Sequence, residues 1–389
     1  MFEKRKKFVL LAIVLLAIAG LSACENEVAN PFPETIEFAT NSGETNFNSP
    51  GIIIALVDSE SNFSWISGFG YADTVNNVPA TEETMFMIGS ISKTFTAISI
   101  MQLVEAGLID LDEPIVTYLP EFSILPHPTY GGNYPNITTR MLLNHTAGIP
   151  RDYWENGAET ADGHYSGFLN NVLTYIPQLT MDFEEGTAVG YSNIGYGILG
   201  ILVARVSGYE DNFEGFLSYT YENLFEPLGL ERSTFAINDE LLPNLARSYR
   251  NHLLQHEEIS FVNILSAGSM TSTVNDMAKL MHKILGDILD GDEHFITQAS
   301  FEELLEFDFT TADRYGNTFG LGFIHQAHSA NLETVGHDGN WVGYHSSMIF
   351  DLESGIGVFV AVNSDSARSL PKLLTEQILQ RAINEKSGN

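Results

Sequence analysis

Met85-Phe86-Met87-Ile88-Gly89-Ser90-Ile91-Ser92-Lys93 reads as an apolar run, a glycine and a serine at the mouth of a helix. A serine placed there lies beside backbone amides that have no partner within the helix, at the positive end of the helix dipole. Such amides can hold the negative oxygen of an acyl-transfer intermediate. Lys93, three residues on, falls on the same helical face, within reach of the Ser90 hydroxyl. Burial lowers the pKa of an ammonium group, so the amine could accept the serine proton. The spacing alone is not decisive, because a chain of this size supplies about one Ser-x-x-Lys by chance. Ser369-Leu370-Pro371-Lys372 matches as well. With proline at the start of the final helix, Ser369 is better read as an N-cap.

Outward from this stretch, the chain shows strands at both ends of a helical middle. Residues 51–58 are a bounded apolar run, predicted as a buried strand, with residues 65–71 as a hairpin partner. The pattern turns helical from 93 to 106 and stops at Gly107, a C-cap residue. Helical runs and long loops fill residues 110–278. Within them, 194–204 is an apolar helix too short to span a bilayer. Strands return at 346–352 and 356–363 around Glu353-Ser354-Gly355, and a last helix runs from 370 to 384. This order predicts an α+β architecture, an antiparallel sheet flanked by helices with an inserted, mostly helical lobe. A cleft between the lobes is the natural ligand site. With no internal repeat and no second linker, residues 50–389 read as one domain.

The 389 residues carry 18 Lys+Arg against 50 Asp+Glu, a net charge of −32. That charge disfavours nucleic acid and anionic headgroups as partners. The single cysteine rules out an intramolecular disulfide framework and a cysteine-based zinc cluster. It is Cys24, and it follows a basic segment, Lys4-Arg5-Lys6-Lys7, and an apolar stretch from 8 to 23. That arrangement is the pattern of an export signal. Leu21-Ser22-Ala23-Cys24 resembles the lipobox of bacterial lipoproteins, which implies cleavage before Cys24, acylation of its thiol, and an exported protein anchored to a membrane by lipid. The alternative is an uncleaved N-terminal anchor with an incidental cysteine. Residues 1–23 are therefore expected to be a signal peptide, and the polar, Asn-, Glu- and Pro-rich residues 24–49 the lipidated cysteine and a flexible tether. No Gly-x-Ser-x-Gly elbow, Walker A loop, Gly-x-Gly-x-x-Gly after a strand or His-Glu-x-x-His helix occurs. His252 and His256 lack an acidic third ligand. No metal or organic cofactor is expected.

Several stretches together resemble the serine β-lactamase-related hydrolases: class C β-lactamases, penicillin-binding DD-peptidases and family VIII esterases. They are Gly70-Tyr71-Ala72-Asp73, residues 88–97 around Ser90 and Lys93, Leu142-Leu143-Asn144-His145-Thr146-Ala147-Gly148-Ile149-Pro150, Glu185-Gly186-Thr187, Phe225-Glu226-Pro227-Leu228-Gly229-Leu230 and Ala267-Gly268-Ser269-Met270. They cover nearly everything after the tether, in family order, and imply a β-lactamase/transpeptidase-like fold. Matches to the family's second motif, Tyr-x-Asn, include those at Tyr134, Tyr191, Tyr221 and Tyr315. Tyr191-Ser192-Asn193 is chosen for its spacing after Gly186-Thr187 and its position before the apolar helix. The resemblance implies that Tyr191 relays a proton to the leaving group and that Asn193 holds Lys93 and the substrate amide. A phenol sharing a proton with a nearby amine is also a chemically sound acid–base pair. Whether Lys93 or Tyr191 is the acylation base stays open.

The third motif, Lys/His-x-Gly, is met by His337-Asp338-Gly339; Lys386-Ser387-Gly388 has the lysine form in an expected frayed tail. The resemblance implies that the N–H of Asn340 joins that of Ser90 in an oxyanion hole, with Gly339 letting the substrate backbone approach. Class C β-lactamases carry lysine where His337 stands. A histidine near its ordinary pKa is only partly charged at neutral pH, and would hold a substrate carboxylate less firmly. Asp73, Arg140 and His145 read as structural, while Trp341 and Tyr344 could equally line the cleft or pack. The expectation is an envelope-anchored serine hydrolase, DD-peptidase-like on D-Ala-containing peptides. The same family offers β-lactamase, esterase and D-amino-acid peptidase as alternatives, and from another class comes a non-catalytic muropeptide- or partner-binding protein.

Overall fold

The computed structural model describes residues 30–45, 49–152, 168–209, 213–250, 253–254, 265–291, 295–308, 310, 312–313, 316–329 and 332–388. The expected signal peptide, Cys24, His252, His256 and Tyr315 lie outside these residues.

The longer helices are α1 (Pro33–Thr45), α2 (Ser92–Glu105), α3 (Asn193–Val206), α4 (Val274–Leu289) and α5 (Leu370–Ser387). Among the described residues the main sheet has eight strands. In chain order they are β1 (Gly51–Asp58), β2 (Phe63–Asp73), β3 (Val78–Pro79), β4 (Thr318–Phe319), β5 (Ile324–Ser329), β6 (Leu332–Trp341), β7 (Tyr344–Asp351) and β8 (Ile356–Val362). Their spatial order is β3-β2-β1-β8-β7-β6-β5-β4, antiparallel throughout. The first and last thirds of the chain thus meet at the centre, where Ile54 faces Val360 across β1 and β8. The expected antiparallel sheet with a helical insertion between its strands is what forms.

Strand β1 is unbroken apolar sequence because both of its faces are covered. Ile53, Ala55 and Val57 enter the larger core, shared with the helical lobe. Ile52, Ile54 and Leu56 enter a second core beneath α1 and α5. Helix α4 packs on β1 and β8 from one side, and α5 packs on β7 and β8 from the other. Alternation of side chains along a strand divides one hydrophobic run between two cores.

Three expectations are corrected on the outer face. The tether expected over residues 24–49 contains α1, so the folded unit starts well before residue 50. Helix α1 forms because α5 completes it from the far end of the chain. The Glu385 carboxylate accepts the N–H groups of Glu34 and Thr35, both at 3.0 Å, and the Thr35 hydroxyl at 2.7 Å. A carboxylate there satisfies first-turn amides and complements the helix dipole. The Arg381 guanidinium sits 4.0 Å above the Phe38 ring, and Phe32 is fully buried against Phe63. The C-terminal segment is likewise not frayed: Lys386 pairs with the buried Asp58 at 2.7 Å, and Gly388 caps α5 in the left-handed region. Ser369 occupies the N-cap position of α5 without a side-chain capping hydrogen bond, so its hydroxyl does not do the work expected of it.

Truncating Phe32 empties a fully enclosed site. Phe32→Ala should lower the free energy of unfolding by about 3 kcal/mol, measured by chemical denaturation. A change under about 0.5 kcal/mol would show that α1 is not part of the cooperative unit.

Candidate active site

Ser90 lies in a 3-10 turn, Gly89–Ile91, that runs straight into α2. Gly89 has φ +55°, and a Cβ there would fall 2.5 Å from the backbone nitrogen of Asn340. Only glycine both takes this turn and allows the nucleophile to approach the β6 strand so closely. Gly339 makes the matching concession from the other side. Its Cβ would fall 1.9 Å from the Ile88 carbonyl oxygen and 2.2 Å from Ser346 Oγ. The space opened by Gly339 is therefore filled by this chain's own turn. Ser92 secures the turn by donating to the Gly89 carbonyl at 2.6 Å and accepting from Met270 N–H at 3.1 Å.

Lys93 is fully buried. Its Nζ lies 3.2 Å from Ser90 Oγ, 2.7 Å from Asn193 Oδ1 and 2.5 Å from the Ala267 carbonyl oxygen. Burial pushes its pKa well below the ordinary lysine value, with the charge of Arg151 acting in the same direction. A neutral amine has two N–H donors and one lone pair. Asn193 Oδ1 and the Ala267 carbonyl can only accept, so they take the two N–H groups. The lone pair is left facing the Ser90 hydroxyl, the one contact able to donate. In the neutral form, this contact set turns the Lys93 lone pair toward Ser90.

Tyr191 completes the cluster. Burial raises its pKa, and a hydrogen bond to Ser90 only partly opposes this, so the phenol keeps its proton. Its ring lies 4.8 Å from Lys93 Nζ and 4.4 Å from the His145 ring. These directions favour the amine over the phenol as base. Burial also lowers the pKa of His145, which stays neutral and accepts Ser192 N–H at Nδ1. His145 thereby fixes the turn between Tyr191 and Asn193, the structural role expected for it. Ser192 caps α3 by accepting Gly195 N–H at 2.9 Å.

His337 departs from the sequence expectation. It is buried, its Nδ1 lies 2.7 Å from the Asp338 carbonyl oxygen, and burial lowers its pKa to about 3. The ring is neutral, rather than partly charged, throughout the physiological range, and exerts no net charge on a substrate carboxylate. Its Nδ1 carries the proton, because a carbonyl can only accept. Its ring faces that of Tyr191 with centroids 6.2 Å apart.

The structure thus brings together Ser90 and Lys93 from the turn into α2 and α2 itself, Tyr191 and Asn193 from the entry to α3, and His337, Gly339 and Asn340 from β6. The other described Tyr-x-Asn matches lie apart from this cluster: Tyr134 in a short 3-10 turn and Tyr221 at an exposed helical turn. Arg140 pairs with Asp112 and Glu303, Asp73 caps the turn at Val75 and Asn76, and Tyr344 is buried with its hydroxyl on the Ala246 carbonyl. Trp341 packs over Gly268, 3.5 Å from the position of a Cβ there. Sequence reasoning missed Asp152, which accepts Asn193 Nδ2–H at 2.7 Å and so orients the amide whose oxygen holds Lys93. No motif marks it; its place two residues after the family-like stretch ending at Pro150 was the one available sign.

A family model described as beta-lactamase matches residues 45–382. The chain belongs to the β-lactamase family. Among curated relatives it is 25% identical over 342 residues to protein flp of Staphylococcus aureus (strain MW2), covering 87% of this chain and 64% of the relative. It is 26% identical over 296 residues to penicillin-binding protein 4* of Bacillus subtilis (strain 168), covering 72% of this chain and 61% of the relative. The chain therefore spans less than two thirds of the length of these relatives. The D-amino acid amidase of Ochrobactrum anthropi SV3 shares the fold, with TM-score 0.74 and 23% identity, covering 91% of this chain and 98% of the amidase.

Lys93→Arg keeps a long basic side chain but replaces the amine with a guanidinium that stays charged and cannot accept the proton. It should lower kcat/KM by about 10²- to 10⁴-fold, with Ser90→Ala abolishing labelling by a fluorescent penicillin. In the parent, acylation should slow as pH falls through the lowered Lys93 pKa, because the protonated amine loses its lone pair. A profile whose acid limb sits at the ordinary lysine value would contradict the assignment.

Proposed function

We propose that this β-lactamase-family protein is a serine hydrolase that works through an acyl-enzyme. The observation that carries this reading is the contact set of Lys93, which leaves the amine lone pair to the Ser90 hydroxyl. Ser90 Oγ bonds to the carbonyl carbon of an amide or ester while its proton passes to Lys93. The charge that develops on the carbonyl oxygen is taken by the N–H groups of Ser90 and Asn340. Collapse of the tetrahedral intermediate breaks the bond to the leaving group, which receives its proton through Tyr191, and Tyr191 is resupplied by Lys93. Water then attacks the ester on Ser90, with the same groups moving the protons in reverse, and releases the acid product.

The substrate class we favour is an amide of a D-amino acid, as in the D-Ala-D-Ala end of a peptidoglycan stem. Likeness to a penicillin-binding protein in sequence and to a D-amino acid amidase in fold supports that choice. The neutral His337 offers no charge to a carboxylate, whether of a peptide C-terminus or of a β-lactam, so the choice rests on these likenesses. Export and lipid anchoring at Cys24 place the enzyme where such stems are found, and rest on the N-terminal sequence.

Three substrates separate the activities: a D-Ala-D-Ala peptide, a chromogenic cephalosporin and a short-chain p-nitrophenyl ester. The peptide should show the highest kcat/KM. Folded protein that turns over none of them and takes no label at Ser90 would instead be a binding protein that retains the fold. For the anchor, Cys24→Ala should move the protein from the membrane to the soluble fraction of cells. Unchanged membrane retention would contradict lipidation at Cys24.

A further inference from the structure

The proposed oxyanion donor Asn340 sits at the end of β6, directly opposite His345 on β7. The His345 ring is buried and bridges two groups. Its Nδ1 lies 2.8 Å from Asn340 Oδ1, and its Nε2 lies 3.0 Å from Asp365 Oδ1. Asp365, in the turn after β8, also accepts Gly343 N–H at 2.9 Å and Arg250 Nε–H at 2.9 Å. Gly343 is the left-handed residue of the β6–β7 turn, with φ +73°. One carboxylate therefore grips the turn directly and, through the histidine, the strand that leads into it.

We propose that His345 and Asp365 are positioning residues that hold the Asn340 N–H in place for the oxyanion. This rests on the reading of Asn340 as an oxyanion donor. Ser90 and Asn340 come from different elements, so their two amides share a target only if the strand end cannot slide past the Gly89 turn. From the sheet side, Gly339 already abuts Ile88, and Ser346 Oγ donates to the Ile88 carbonyl at 2.8 Å. Asn340 is one residue nearer the open end of the hairpin, next to a solvent-open cavity of about 590 Å³ lined in part by Asp338, Asp365, Arg368 and Lys372. Without His345, the Asn340 side chain would lose its hydrogen-bonding partner across the hairpin and face that cavity. Stiffness at this point matters because an oxyanion donor acts by being already oriented when charge develops.

The proton inventory fits a bridge. A carboxylate can only accept, so His345 Nε2 carries a proton toward Asp365. If the ring is neutral, Nδ1 accepts from the Asn340 amide turned to present its NH2; if the ring is charged, Nδ1 donates to Asn340 Oδ1. The ring stays between Asn340 and Asp365 in either state, so the arrangement survives a change of charge.

The test uses the full chain and a peptide boronic acid, whose adduct with Ser90 places a negative oxygen in the oxyanion hole. His345→Ala should weaken boronate binding and lower kcat by a similar factor, about 10-fold or more, with KM changed less than about 3-fold. His345→Gln should recover part of the loss, since it returns an amide within reach of Asn340. Asp365→Asn, which keeps the shape and the acceptor oxygen, should show a smaller loss in the same direction and guards against misfolding of the alanine variant. Selective ¹⁵N-asparagine labelling of the parent supplies the separating readout, the response of the Asn340 amide to boronate. If that amide responds and all three variants bind boronate like the parent, the positioning role is overturned and the oxyanion reading stands. If it does not respond, the oxyanion reading falls and takes the proposal with it.

Discussion

An amine with no exposure to water is held by acceptors or driven toward its neutral form, and at Lys93 the acceptors are present and burial pushes the pKa well down. Desolvation disfavours the ammonium form, and the Asn193 and Ala267 oxygens consume the two N–H groups that remain. The lone pair has one place to point. Everything around the site serves this geometry. Helix α3 delivers Asn193, the short helix Leu265–Gly268 delivers the Ala267 carbonyl, and the turn at Gly89 delivers Ser90. Helix α2 is itself buried along most of its length, and its polar side chains are satisfied in place, as where Thr96 donates to the Ser266 carbonyl at 2.7 Å.

The sheet sets the other half of the site. In the proposed mechanism strand β6 comes close enough to the Ser90 turn for amides from two elements to share one oxygen, and two glycines make that approach sterically possible. The strand is held in register by β7, which belongs to a sheet packed on both faces. Helices α1 and α5 close the outer face, so groups as distant in sequence as Glu34 and Glu385 help to build the support on which the catalytic strand rests. A scaffold packed on both faces resists small displacements, and catalytic donors tolerate few of them.

Much of this was legible in the sequence where the determinants were local. The Ser90–Lys93 spacing, the apolar strand at 51–58 and the late hairpin all follow from short-range pattern. Choosing Tyr191 among several candidates needed the order of several motifs, since a tripeptide carries little information. What stayed hidden depended on partners far along the chain. Helix α1 was read as a tether because its own composition is polar; its first-turn amides are satisfied by a carboxylate about 350 residues away. The neutrality of His337 comes from enclosure, which a sequence does not display. Asp152 and His345 act on Asn193 and Asn340 through side-chain contacts that no motif encodes.

The claim that most depends on this geometry is that Lys93 is an uncharged amine at neutral pH. ¹⁵Nζ-lysine NMR of the folded protein, with Lys93 assigned by comparison with Lys93→Arg, reads it directly. The account predicts that the Lys93 resonance lies at the position of a neutral amine at pH 7 and moves to that of an ammonium only on acidification. A Lys93 resonance that stays at the ammonium position up to the ordinary lysine titration range would contradict it.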